Sequence, residues 1–185
     1  MAKYHINSIQ KWDAFSWRNT SYPLTHLNAH EIIYRGNNNE FKFVVTYGLH
    51  CFAKNDTPFN IPVKYSDARE SLTVCMERYE ASKQLQHILP NLPSLALYQT
   101  TTEKYFTIQM MNSATQRIEP YKICVAFFKE NRLLRMHILS AFFARIGPGS
   151  INQPVMTKPL SLYKIAIDTV RKPKNRKGPK EINNR

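Results

Sequence analysis

The chain has 185 residues, which is enough for one domain with a sizeable core and short for two. Its 43% hydrophobic and 12% aromatic residues are typical of a globular protein and exclude a wholly disordered one. The 26 Lys and Arg residues exceed the 13 Asp and Glu residues, giving a net charge of +13. Such a charge favours a polyanionic partner, namely RNA, DNA or an anionic membrane surface, over a basic surface kept only for solubility.

Several classes of site are absent from the sequence. The three cysteines have no metal-ligand spacing, and no CxxC, HExxH, GxSxG or phosphate-binding glycine loop occurs. We therefore expect no metal and no cofactor. Cys75 and Cys124 fall in apolar patterns and are expected to be reduced core thiols, which suits a cytoplasmic protein. No apolar run is long enough to span a membrane, and no signal peptide is evident.

The N-terminal 30 residues are aromatic and polar. Residues 2–9 are compatible with an edge strand. Trp12, Phe15 and Trp17 then follow beside Lys11 and Arg18. Aromatic rings next to cations can form a base-stacking platform, but closure over the core is the favoured interpretation.

The clearest element is a strand at residues 41–52. Phe41, Phe43, Val45, Tyr47 and Leu49 share one face by the period of two, and Lys42 and His50 lie on the other. The preceding Gly-Asn-Asn-Asn at residues 36–39 predicts a hairpin back to residues 32–34.

A loop is predicted at residues 53–66, followed by a helix capped by Ser66 or Asp67. This helix runs to Pro90 with a break near residues 81–82. Strands are predicted at residues 105–110, 121–128 and 133–144, the last with Leu134, Met136, Ile138 and Phe142 towards the core. Residues 160–170 fit either a short strand or a helix.

This order predicts a single α+β domain over residues 1–170, with a twisted antiparallel sheet and one or two helices on one face. Residues 171–185 carry seven Lys or Arg residues against one Glu, and we expect a basic flexible tail.

Two candidate sites follow. His50, Arg135 and His137 would converge on the exposed sheet face, with Arg145 just past the strand end. Such a set can cleave RNA without a metal, because imidazoles transfer protons and arginine stabilises charge on phosphorus. Cys51 is a weaker candidate nucleophile, because the alternation points it inwards.

The second candidate site is a nucleic-acid-binding surface. Stacking would come from Trp12, Trp17 or Phe52. The candidate phosphate contacts are Lys42, Arg78, Arg135, Arg171, Lys172, Lys174, Arg176, Lys177 and Lys180.

Five short segments stand out in the sequence: residues 47–52, which end in His50-Cys51-Phe52, residues 77–82, 105–106 and 134–135, and residues 140–145, which end in Arg145. Together these segments resemble a loosely defined set of small bacterial proteins. This set has no assigned catalytic residues. The resemblance covers residues 40–146 and implies a bacterial or mobile-element origin near antiviral defence genes, with special roles for His50, Arg78 and Arg145. The β-rich section is also similar, at the level of the fold only, to the interferase toxins.

Three functions remain open at this point. The favoured one is a non-catalytic nucleic-acid-binding accessory protein that works with a larger partner. The others are a metal-independent endoribonuclease and a homodimeric protein-interaction module, the dimer forming through an edge strand such as residues 2–9.

Overall fold

The computed structural model describes residues 11–36, 38–100, 104–130, 132–150, 152–153 and 158–171. The edge strand predicted at residues 2–9 lies outside them. Short 3-10 helices occupy Thr25–Leu27 and Leu89–Ser94. The strands are β1 (Phe15–Trp17), β2 (Thr20–Tyr22), β3 (His30–Gly36), β4 (Asn39–His50), β5 (Asn60–Ser66), β6 (Ser71–Cys75), β7 (Leu97–Gln99), β8 (Lys104–Asn112), β9 (Arg117–Glu130) and β10 (Leu133–Phe143), and the α-helices are α1 (Met76–Ser82), α2 (Leu85–Ile88) and α3 (Leu162–Arg171).

Six strands form the main sheet, in the order β3-β4-β10-β9-β8-β7. Neighbours are antiparallel except β4 and β10, which run parallel. Short turns can join antiparallel strands, whereas β10 reaches its place beside β4 only after a long excursion of the chain through α1 and α2. The α+β class and the single domain are confirmed, and the sheet is mixed rather than purely antiparallel.

Strand β4 has the predicted alternation. Its five inward side chains, from Phe41 to Leu49, are all buried in the core. The hairpin to β3 is also confirmed, with Ile32 opposite Phe43. Asn38 adopts a φ of 58° in the turn, the left-handed conformation that Asn tolerates. The position of this interior strand thus follows from a hydrophobic period that is evident in the sequence.

The three later strands are confirmed as β8, β9 and β10, but one face assignment is wrong. The register of β10 shifts between Ile138 and Ser140, which reverses the alternation beyond that point. As a result Ala141 and Phe143 are buried in the core, whereas Phe142 is only half-buried. The alternation of hydrophobic residues in the sequence does not predict a bulge of this kind.

The predicted helix start at Ser66 or Asp67 is wrong. Residues 60–75 form the antiparallel hairpin β5–β6. Asp67 Oδ1 accepts hydrogen bonds from the backbone N–H groups of Arg69 and Glu70, at 2.8 and 2.9 Å, and so closes the hairpin turn instead of capping a helix. The predicted loop at residues 53–66 likewise contains β5, whose Pro62 is tolerated because the strand lies in a two-stranded sheet.

The helical section begins only at Met76, and its break after Ser82 is the one that was predicted. The ambiguous residues near 160–170 form helix α3, which packs against the main sheet. Tyr163 Oη donates to the carbonyl of Arg35 at 2.7 Å, and a Cβ on Gly36 would lie only 2.5 Å from the Tyr163 ring. Glycine at position 36 therefore lets α3 approach the end of β3.

Candidate nucleic-acid interface

A shallow cleft of about 350 Å³ opens at the end of the main sheet where β4 and β10 begin. Three cations and four aliphatic side chains line it. They are Lys42, Val44, Lys129, Arg132, Leu133, Leu134 and Val170. We refer to these seven residues as the basic cleft.

The parallel pairing of β4 and β10 creates the basic cleft. Both strands start at the same end of the sheet, so Lys42, one residue before Phe43, comes close to Leu134, the partner of Phe43. Arg132 sits in the turn between β9 and β10 with a φ of 71°, a conformation that tightens the connection to Leu133. Two strand starts and one turn therefore bring together cations that are far apart in the sequence.

The cations of the basic cleft are accessible. Lys42 Nζ lies 2.7 Å from Glu31 Oε2, but both side chains are more than half exposed, and exposed ion pairs of this kind contribute little. Lys129 Nζ donates to the carbonyl of Val170 at 3.4 Å. Within the described residues neither Lys129 nor Arg132 pairs with a carboxylate. The cleft thus has a positive rim that solvent or an anion can reach.

Helix α3 ends beside the basic cleft. Val170 is one of the lining residues, and the exposed Arg171 is the last residue of the helix. In the sequence, the basic segment from Lys172 follows this helix end directly. The predicted phosphate contacts Lys172, Lys174, Arg176, Lys177 and Lys180 lie outside the described residues.

The structure overturns the prediction that Arg135 and His137 lie on an exposed sheet face. Their side chains are 3% and 5% exposed, respectively. Thr46 Oγ1 lies 3.0 Å from His137 Nδ1, and Glu130 Oε2 lies 3.5 Å from Arg135 Nε. Burial, together with the nearby charges of Arg69 and Arg135, lowers the pKa of His137 to about 3. Neither group can reach a phosphate without local unfolding.

His50 and Arg78 lie together at the end of β4, away from the basic cleft. His50 is half-buried, and its Nε2 is 3.0 Å from Glu70 Oε1. Burial lowers the pKa of His50, against the opposing charge of Glu70. Arg78 donates to the carbonyl of His50 at 2.6 Å and stacks over Phe142, 4.8 Å from the ring centre. Arg78 therefore closes the end of β4 and is not available as the predicted phosphate contact.

Arg145 belongs to an acidic network rather than to a catalytic set. Its guanidinium donates to both carboxylate oxygens of Glu77, at 3.1 and 2.5 Å, and to Glu119 Oε2 at 3.0 Å. Asn112 Nδ2 bridges the same two carboxylates, at 2.8 and 3.1 Å. The network joins α1 to the β8–β9 hairpin and to the end of β10. It does not bring Arg145 together with His50 and His137.

The predicted stacking residues are mostly core residues. Trp12 is 5% exposed and Phe52 is fully buried, and their rings meet edge to face at 5.1 Å. Trp17 is half-buried beneath the guanidinium of Arg18, 4.5 Å from the ring centre. Closure over the core is thus confirmed for Trp12 and Phe15. Stacking of a base on Trp12 or Phe52 would require either ring to leave the core.

All three cysteines are buried and none of them forms a disulfide among the described residues, as expected for Cys75 and Cys124. Burial raises the pKa of the Cys51 thiol to about 12, which disfavours the thiolate that a nucleophile needs. In the part of the chain that the structure describes, no group of His, Cys, Asp and Glu could hold a metal ion. Among the same residues, no helix is long and apolar enough to cross a membrane.

Sequence reasoning named Lys42 as a phosphate contact but did not name Lys129 or Arg132. It also missed the acidic network of Glu77 and Glu119. The available signal for Arg132 was its position in a tight turn that leads into a core strand. Nothing in the linear pattern indicates that this turn lies beside β4, because that proximity depends on the parallel pairing.

Comparisons with known proteins give a family. The family model described as the YjaZ family matches residues 14–170. Protein YjaZ of Escherichia coli (strain K12) is 24% identical over 177 residues, an alignment that covers 87% of this chain and 94% of that protein. No solved structure matches the chain. The predicted resemblance to small bacterial proteins is confirmed in this coarser form, and the chain belongs to the YjaZ family.

Proposed function

We propose that the chain is a non-catalytic nucleic-acid-binding protein that serves as an accessory subunit of a larger nucleoprotein assembly. One observation carries the proposal. The basic cleft, with Lys42, Lys129 and Arg132, lies where α3 ends at Arg171, and the sequence that follows holds six Lys or Arg residues against one Glu. Clustered cations at one end of a fold, continued by a cationic segment, suit the phosphate backbone of a nucleic acid.

We propose a non-catalytic role because the candidate catalytic groups are not placed to act together on one substrate. Arg135 and His137 are buried, and Arg145 is engaged by Glu77 and Glu119. A ribonuclease needs a proton donor and a proton acceptor within hydrogen-bond reach of one phosphate. The half-exposed His50 has no accessible second histidine beside it among the described residues. The homodimeric module stays an untested alternative.

The test is binding of the full chain to fluorescein-labelled RNA and DNA across a salt series, with EDTA present and the products run on a denaturing gel. We expect binding at low salt that weakens steeply as salt rises, with intact nucleic acid. Truncation after Arg171 should weaken binding further without abolishing it, because the basic cleft stays. Cleaved RNA in EDTA would replace the proposal with the ribonuclease. No binding at low salt would overturn both.

A further inference from the structure

We propose that the partner of the basic cleft is a double helix held by its phosphates, and not a single strand held by stacking of its bases. This inference rests on the proposed function and deepens it. Two independent properties of the described residues carry it. One is that the aromatic rings are buried or already in contact with neighbours, and the other is the set of side chains that line the cleft.

The chain has two Trp, ten Tyr and ten Phe residues, and all of these except Tyr4 lie in the described part. None of those rings is exposed, since the exposed large hydrophobic residues are all aliphatic or Met. They are Ile33, Met111, Ile118, Leu133, Ile146 and Val170. A single strand that binds without sequence preference gains about 1–3 kcal/mol per base from aromatic stacking. The described surface offers no open ring for that contact.

Seven rings are half-buried, and each is already in contact with a neighbour. Three lie against a guanidinium, namely Trp17 at Arg18, Phe59 at Arg145 and Phe142 at Arg78. The other four lie against aromatic rings at centroid distances of 5.0 to 6.3 Å. They are Tyr22, Tyr65, Tyr98 and Tyr163. A base could stack on them only after displacing these contacts.

The basic cleft has no aromatic residue either. Its apolar lining residues are Val44, Leu133, Leu134 and Val170, and its polar groups are ammonium and guanidinium ions. Such groups bind phosphate oxygens whatever the base, so they contribute affinity but little sequence specificity. A duplex presents about one charge per 1.7 Å along its axis, roughly twice that of one strand, and holds these charges in a fixed geometry.

The test compares one 20-base-pair duplex with each of its separate strands, chosen to lack self-pairing, in DNA and RNA forms. Fluorescence anisotropy at fixed salt should show that the duplex binds at least about tenfold more tightly than its separate strands, in the DNA form, the RNA form or both. The affinity for the duplex should also depend more steeply on salt concentration. The variant Trp17→Leu should leave duplex affinity within about twofold. Among the aromatic rings that the structure describes, Trp17 is the only half-buried ring that lies against the cation of an adjacent residue, Arg18.

Two results would overturn the inference, and they are distinguishable. Equal or tighter binding of the single strands, with quenching of tryptophan fluorescence, would remove the duplex and leave the proposed function standing. Failure to bind any of the four nucleic acids at low salt would remove the proposed function as well.

Discussion

Both carboxylate oxygens of Glu77 accept hydrogen bonds from the guanidinium of Arg145, at 3.1 and 2.5 Å, and this pair ties α1 to the far end of β10. The Glu77 side chain is only 7% exposed, whereas that of Arg145 is 44% exposed. The carboxylate therefore depends on its partner far more than the guanidinium does. Because of this difference in burial, we expect the pair to make a measurable contribution to the free energy of unfolding.

Arg145→Ala should lower the free energy of unfolding by about 2 kcal/mol or more, because it leaves a buried carboxylate with less compensation. Adding Glu77→Gln should recover part of the loss, with a coupling of at least about 1 kcal/mol in a double-mutant cycle. Urea unfolding measures both. The matched control is Arg35→Ala, which breaks the exposed Arg35–Glu40 pair and should cost less than about 1 kcal/mol. Strictly additive losses at positions 77 and 145 would contradict the assignment.

His137 makes stability depend on pH. Burial lowers its pKa to about 3, whereas the unfolded chain binds that proton near pH 6.5. Between these values the unfolded state holds more protons, so stability falls as pH falls from about 6.5 towards 3. The contribution is on the order of 2 kcal/mol between pH 6.5 and 5.

The variant His137→Gln removes this titration. Its unfolding free energy should fall less steeply than that of the wild type over the same pH range, whatever its value at pH 7.5. An NMR titration should also show a neutral His137 ring at pH 5 in the folded protein. Parallel pH profiles for the two proteins would mean that His137 is not buried as described.

Phe52 should behave as a core residue and not as a nucleic-acid contact. Its ring packs edge to face against Trp12 and Tyr65, at 5.1 and 5.0 Å. Phe52→Leu should lower stability by about 1–2 kcal/mol while leaving nucleic-acid affinity unchanged, since the fold is retained. Thermal unfolding and anisotropy measure the two effects separately. A selective loss of binding with unchanged stability would restore the stacking hypothesis for this residue.

Gly48 lies where β4 meets the bulge of β10. A Cβ there would lie 2.8 Å from the carbonyl oxygen of Leu139 and 3.4 Å from His137 Nε2. Because the nearer atom belongs to the backbone, it cannot move aside cheaply. Gly48→Ala should therefore cost about 1–3 kcal/mol, measured by urea unfolding. A stability equal to that of the wild type would show that the two strands are further apart than described.

The sequence predicts the strands of this fold better than its surfaces. The period of two in β4 identified the core face, because a buried strand face needs apolar side chains at every second position. The same period left Arg135 and His137 opposite the core face, and that position was wrongly equated with exposure. Their burial depends on what covers the second face, which the alternation does not encode.

The β5–β6 hairpin illustrates a second limit. Leu72, Cys75, Met76 and Tyr79 satisfy the spacing of a helix, but Leu72 and Val74 also satisfy that of a strand. Tertiary contact decides between them. Cys75 N donates to the carbonyl of Phe52 at 3.0 Å, and Val74 is fully buried. The basic cleft was missed for a related reason, since Lys129 and Arg132 acquire their significance only through the parallel pairing of β4 and β10.

The central claim is that the basic cleft binds phosphates. The double variant Lys129→Gln/Arg132→Gln removes two charges from its rim. The matched control, Lys64→Gln/Arg117→Gln, removes two charges from exposed positions outside the cleft. The measurement is the slope of the logarithm of duplex-DNA affinity against the logarithm of salt concentration. We expect the cleft variant to flatten this slope by about 1.8 and the control to leave it nearly unchanged. Equal slopes for the two variants would contradict the account, because the charge of the whole protein, and not this cleft, would then govern binding.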